Sequence, residues 1–458
     1  MQNPNFFAFF VLAIWPIASV VLFRALPVGR ALLASLILAY LFLPPPPTAF
    51  DLPLVPAMNK ENLPSLIALL SCAVLYKKDL KILPDALLGR VLLGLFVFSP
   101  LATTLTNLEP IFFGEIGVTG LGVKDAIALV FNQAMLAVPF VLALSFLRRA
   151  EDHREILFAL MIAGLIYSLF MLIEVRLSPQ LNIWIYGFFQ HNFEQMMREG
   201  GFRPIVFLYH ALWVAFFAMT AVVSAVILMR RDGEGRTLWY GGAALYLGGV
   251  LYLCKSLASV LYAGLLVPAA VFLPIKMQIR IALVCGLLAV SYPVLKGYEI
   301  LPEKAITALA GRISTERANS LQFRLDNEQV LVDRAFEKPV FGWGSWGRNL
   351  ILDPVSGITQ AVPDGRWVIV IGVFGWVGYL AEYGLLALSL FMLWRVSRHQ
   401  PRAELSPYVA GVALLLGANM VDMLPNATLT PLTFLWAGAI MGYVERHPKK
   451  IDKLTSVL

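Results

Sequence analysis

The sequence predicts an all-α, polytopic integral membrane protein, and three observations carry that prediction. Only 14% of the 458 residues are charged, against about 25% in a soluble domain. Mean hydropathy is +0.74. Thirteen apolar runs follow one another, at about 6–23, 28–43, 63–76, 84–105, 125–147, 156–174, 204–229, 237–253, 257–273, 279–296, 367–394, 406–423 and 430–443. The runs at 28–43, 63–76 and 430–443 are short for a span of about 20 residues, so the expected count is twelve or thirteen. The chain reads as a single transmembrane domain over 1–458, with an outer loop at 175–203 and a large, late periplasmic loop at 297–366 that contains short helices.

At the N-terminus, MQNPN has no positive region and no cleavage site before the first run, which is therefore read as a retained span. Four prolines, Pro44 to Pro47, and the DLPLVP that follows form a stiff connector after the second run. Orientation comes from charge. Loops near 24–30, 77–81, 148–155, 230–236, 276–280 and 395–402, with the C-terminal tail, hold 20 Lys and Arg; the short loops on the other side hold 6. The positive-inside rule puts the first set and the tail in the cytoplasm. The loop 297–366 is long enough to cross regardless of charge. Within it, EKAITALAGRI and LQFRLDNEQVLVDRAF have helical periodicity. In the second, Leu321, Leu325, Val332 and Ala335 share a face, and Arg324, Glu328 and Arg334 are expected off it, toward a cavity. Pro339 and Gly342 end that helix.

Composition also excludes several classes. The net charge of +7 is the ordinary excess of cytoplasmic Lys and Arg and does not point to nucleic acid. Cys72, Cys254 and Cys285 lie in apolar runs at unrelated spacings, and none of the five histidines has ligand spacing, so neither a disulfide framework nor a metal site is predicted. No nucleotide-binding or hydrolase motif occurs in usable context, and no cofactor is expected.

The polar stretch from Ser320 to Gly347, between two apolar runs, is where chemistry is expected. Arg324 and Arg203 both fall at the outer interface. A guanidinium offers five donors in a fixed fork and keeps its charge, which suits diphosphate oxygens; interfacial anchoring, or an ion pair with Glu328 or Glu199, is the plainer alternative. Asp364, just before the run at 367–394, is placed either to take a proton from a sugar hydroxyl or to cap the helix. His210 falls about two turns inside the run at 204–229, where a polar group is costly; a satisfied, bundle-facing histidine is its bland reading. His191 reads as an interfacial anchor. Arg90 is placed to snorkel. Glu382 and Asp422 lie within apolar runs, functional or paired inside the fold.

Taken together, these residues resemble the bacterial O-antigen ligase/polymerase superfamily. Arg324, Glu328, Ala335, Pro339 and the Gly342-Trp343-Gly344 turn resemble its core pattern of an Arg, a short helix, then Pro and Gly-x-Gly. Arg203-Pro204 resembles the family's Arg before a mid-protein span, Lys255-Ser256-Leu257-Ala258-Ser259 its Ser-rich start of a later span, and Gly375 and Gly378 its next Gly-x-x-Gly. The resemblance covers roughly 200–390. It departs at one point: where the family usually has His-Asn eleven residues before that first glycine, this chain has Asp364-Gly365. The resemblance implies a membrane glycosyltransferase of the bacterial inner membrane that uses an undecaprenyl-pyrophosphate-linked glycan on the periplasmic face. Arg203 and Arg324 would hold the pyrophosphate, Asp364 or His210 would assist the proton, and Glu328, Arg198 and Arg366 would support them. With the histidine missing, the resemblance favours a polymerase of exopolysaccharide or O-antigen repeats, working with a chain-length regulator, over a ligase. A lipid-linked oligosaccharide flippase is the rival from another class, although no internal repeat is seen.

Overall fold

A computed structural model describes residues 3–446, apart from 52–55, 199, 233–234, 298–299, 301–302, 314 and 402–404. Glu199, most of DLPLVP and nearly all of the basic tail lie outside the described residues.

Each of the thirteen apolar runs contains a helix. Among the described residues, seven helices are long and apolar enough to cross a membrane: α1 (Phe6–Ala25), α4 (Leu87–Leu105), α5 (Val123–Phe146), α6 (Ala150–Leu177), α8 (Ala211–Arg231), α11 (Ile275–Gly297) and α14 (Arg366–His399). The shorter apolar helices are α2 (Val28–Phe42), α3 (Leu63–Leu75), α9 (Thr237–Leu253), α10 (Leu257–Phe272), α15 (Pro407–Asp422) and α16 (Pro431–Glu445). The remaining helices are α7 (Leu181–Tyr186) and a pair in the large loop, α12 (Glu303–Ile313) and α13 (Thr315–Phe336). Strands are confined, among the described residues, to three two-stranded hairpins, at 49–59, 111–118 and 197–202.

The centre of the bundle is α8, α15 and α16, apolar and buried nearly throughout. Gly438 and Gly442 of α16 let it lie against α5: a Cβ at Gly438 would meet the Phe140 carbonyl oxygen at 2.1 Å. Small residues four apart are the usual device for such contact where no hydrophobic force separates helix from lipid. At the rim, large apolar side chains face outward, including Ile17, Leu238, Leu245 and Phe272. That arrangement is the expected one for a chain whose outer solvent is hydrocarbon.

The two ends of the bundle differ. Ion pairs tie the end where α16 finishes, among them Lys81 to Glu445 at 2.6 Å and Arg30 to Glu155 at 2.8 Å. Arg90, in the first turn of α4, bonds the Pro84 carbonyl there. The opposite end carries the three hairpins and the α12–α13 loop.

There α14 is not one helix. At Gly375, with φ +65°, the chain breaks. The turn after α13 fills the break with backbone hydrogen bonds: Trp343 and Gly344 donate to the Gly372 and Val373 carbonyls, and Trp376 and Val377 donate to those of Pro339 and Val340. The two backbones approach so closely that a Cβ at Gly342 would lie 2.5 Å from Val373, and one at Gly375 would lie 2.4 Å from Val340. The Gly-Trp-Gly turn and Gly375 are thus two halves of one interlock.

α13 forms as the periodicity predicts and stops at Phe336, with Val332 and Ala335 buried as expected, but its buried face is wider than the predicted one. Glu328 and Arg334, expected off the packed face, are buried with Leu331, Val332 and Ala335. Each has a specific partner. Tyr292 hydroxyl and Trp367 Nε1 donate to Glu328 at 3.4 Å, and the Arg334 guanidinium lies 3.4 Å over the Trp343 ring.

Candidate functional site

Between α13, the 194–203 hairpin and the start of α8 is an open cavity of about 620 Å³. Of the seven site residues predicted from sequence, five line it: Arg198, Arg203, His210, Arg324 and Asp364. They come from four separate stretches, so the fold assembles them.

Segment 203–210 is not helical. The run expected to span from 204 begins its helix only at Ala211, and His210 is the helix cap, not a residue two turns inside the helix. Irregular backbone beside hydrocarbon needs partners inside the protein, and buried side chains supply them. Glu174 accepts from the backbone N–H of Ile205 at 2.8 Å and of Val206 at 2.7 Å. Tyr167 hydroxyl accepts from Phe207 N–H, and Gln190 and Lys60 donate to the carbonyls of Val206, Phe207 and Leu208. Arg203 enters the cavity wall buried, its N–H bonded to the Met196 carbonyl at 2.8 Å. Lys255, of the Ser-rich stretch, bonds the Arg198 carbonyl at 2.8 Å and so props the hairpin that carries Arg198.

Arg324 reaches the cavity from α13. Its Nε is 3.5 Å from Asp364 Oδ2, and Nη1 donates to Asn426 Oδ1 at 3.4 Å. The ion pair with Glu328 considered from sequence is therefore replaced by one with Asp364. Asn426 is itself held by Asp422, 3.0 Å away. Asp422 is not deep in a span: it ends α15 and also accepts from Thr428 at 2.6 Å. Asp364 does not cap α14, whose cap residue is Gly365. Its carboxylate is left to face the cavity. Burial raises its pKa above the ordinary carboxylate range, and Arg324 pulls the other way.

His210 is fixed by two bonds. Nδ1 accepts from Leu212 N–H at 3.0 Å, so the neutral ring carries its proton on Nε2, which donates to Gln195 Oε1 at 3.3 Å. Burial first, then His191, Arg203 and Arg324, push its pKa down to about 3. His191, read as an anchor, stacks edge-on against His210, ring centroids 4.6 Å apart.

Two predicted site residues lie elsewhere. Glu328 is in the interface of α13 with Tyr292 and Trp367, away from the cavity, and burial raises its pKa to about 7. Arg366 pairs with Glu382, in two contacts of 2.8 and 2.6 Å, and lines a smaller neighbouring cavity.

Sequence reasoning missed Gln195, Asn426 and Glu174. Glu174 had a signal, a carboxylate near the end of an apolar run. Asn426, in LPNAT, had none. The cavity thus joins three guanidiniums, the two carboxylates of Asp364 and Glu194, and a neutral histidine. With three guanidiniums against two carboxylates it is open and net cationic, and guanidiniums suit anions with several oxygens. No protein-family model matches the chain, and no curated protein matches it.

Proposed function

We propose that the protein is a membrane glycosyltransferase whose donor is a glycan on undecaprenyl pyrophosphate, and that it polymerises repeat units of an exopolysaccharide or O-antigen. The observation that carries this is the convergence of Arg198, Arg203 and Arg324 on one cavity that also holds Asp364. The resemblance over 200–390 supports the same reading, because Arg203 and Arg324 of its scattered motifs line this cavity, while Pro339, Gly342-Trp343-Gly344 and Gly375 make the interlock. The apolar helices cross the bacterial inner membrane twelve or thirteen times, the tail lies in the cytoplasm and the cavity faces the periplasm; the excess of Lys and Arg at the tail end supports this orientation.

The pyrophosphate sits against the arginines, with the lipid between spans. An acceptor hydroxyl oxygen attacks the anomeric carbon from the opposite face. The bond from that carbon to the phosphate oxygen breaks, and its electron pair leaves with the pyrophosphate. The hydroxyl proton passes to Asp364. The configuration inverts. Asp364, not His210, is the base in this reading, because the acceptor nitrogen of His210 is already bonded to Leu212. His210 serves as a neutral donor at the cavity wall. Most of the rate comes from placement and from the fixed positive charge facing the leaving group.

The test is turnover by purified protein in nanodiscs with lipid-linked repeat units as the only substrate, following glycan length and released undecaprenyl pyrophosphate. Longer glycan with matching lipid release is the expected result. Reaction only after a second acceptor is added identifies a ligase, and no release by folded protein refutes glycosyl transfer in favour of transport.

A further inference from the structure

A second cavity of about 240 Å³ adjoins the first, and Trp213 and Ala427 line both. Part of its lining is polar. Tyr209 hydroxyl donates to Glu61 Oε1 at 2.9 Å, and Glu61 itself is exposed. Arg366, held by Glu382, lines the same cavity. Part of the lining is aromatic: the Tyr209 and Trp213 rings are 5.3 Å apart, and Tyr40 stacks on Trp213 at 6.4 Å. This volume is below the roughly 300–1,000 Å³ of a site for a drug-sized ligand. It is the scale of a sugar ring. Sugars offer a C–H face to aromatic rings and hydroxyls to a carboxylate and a guanidinium, which is the pairing present here.

We propose that this second cavity binds the acceptor sugar, with Trp213 as the partition between acceptor and donor. The inference rests on the donor reading of the arginine cavity. Glu61 and Tyr209 hold acceptor hydroxyls, and one further hydroxyl reaches past Trp213 to the anomeric carbon beside Asp364. Glu61 and Tyr209 have no part in holding the pyrophosphate.

Two variants test it in nanodiscs, Glu61→Gln and Tyr209→Phe. The donor is a fluorescent repeat unit on undecaprenyl pyrophosphate at fixed concentration. The titrated acceptor is the same repeat unit on a short-chain pyrophosphate, and binding of undecaprenyl pyrophosphate alone is measured in parallel. The acceptor KM rises about tenfold or more in Glu61→Gln, as for loss of a hydrogen bond to a charged group. Tyr209→Phe moves it the same way, and undecaprenyl pyrophosphate binding stays at the wild-type value in both. An unchanged acceptor KM in both variants overturns the inference, and so does an equal loss of undecaprenyl pyrophosphate binding. Arg324→Ala separates the two levels. If it abolishes turnover while Glu61→Gln and Tyr209→Phe behave as wild type, only the acceptor assignment fails. If Arg324→Ala turns over normally, the donor reading fails first.

Discussion

Arg366 and Glu382 form a two-pronged ion pair, 2.8 and 2.6 Å, although sixteen residues of α14 separate them. A straight helix would hold them about 24 Å apart. They meet because the chain breaks at Gly375 and the Gly342-Trp343-Gly344 turn occupies the break. The ion pair therefore reports on the interlock, and the interlock places Asp364 and Gly365 over the cavity.

Gly375→Ala is predicted to destabilise the protein by roughly 2 kcal/mol or more. It puts a side chain at a positive φ and a Cβ against the backbone of Val340. Gly94→Ala is the matched control, since nothing lies within 4 Å of its added Cβ. Thermal unfolding in detergent checks both: a lowered midpoint for Gly375→Ala only is the expected pattern.

Glu382→Gln leaves the Arg366 charge uncompensated in a largely buried site. The loss should be about 3 kcal/mol, the usual penalty for removing one partner of a buried pair. Replacing both, Arg366→Met with Glu382→Leu, should cost less than either single change, because no charge is then stranded. A double-mutant cycle on unfolding midpoints measures this coupling.

Asp364→Asn should lower turnover by about 10²- to 10⁴-fold, the range for a general base, with acceptor KM little changed. In the wild type, the carboxylate must be ionised to accept the proton. Its pKa is raised by burial, so activity falls as pH drops through a range above the ordinary carboxylate value. His210, pushed down to about 3, stays neutral from pH 5 to 8 and adds no limb there. A kcat–pH profile with a histidine-like limb that disappears in His210→Gln would contradict the assignment of Asp364.

Glu328 predicts a pH effect on stability. Its folded pKa is raised to about 7 against an unfolded value near 4.5. Between those values the folded state holds a proton that the unfolded state has lost. Its contribution is therefore fully present below about pH 4.5, weakens as pH rises, and is gone above pH 7, a change of order 3 kcal/mol. Glu328→Gln lacks this dependence, so its unfolding midpoint should gain on the wild type between pH 5 and 8. A constant difference across that range would show that Glu328 does not titrate there.

Much of this was legible in the sequence because hydropathy and charge act locally. All thirteen apolar runs contain helices, Arg203 and Asp364 were recognisable as charges next to apolar runs, and Arg324 as a charge in the polar stretch from Ser320 to Gly347. What was not legible came from tertiary partners. Glu328 and Arg334 looked like cavity-facing charges because nothing in α13 shows that Tyr292, Trp367 and Trp343 wait for them. His210 looked intramembrane because segment 204–209 is as apolar as a span; it stays unwound because Glu174 and Tyr167 satisfy its backbone. Gly375 stood out as a motif residue, but the break it makes needs the turn from 339–344 to exist.

The most direct test of the central claim is equilibrium binding of undecaprenyl pyrophosphate to purified protein in nanodiscs, comparing wild type with Arg324→Ala and Arg203→Ala. Weakening of about tenfold or more in each folded variant is the predicted result, consistent with loss of a charge-assisted contact to phosphate. Wild-type affinity in both variants, with unfolding midpoints unchanged, would contradict it.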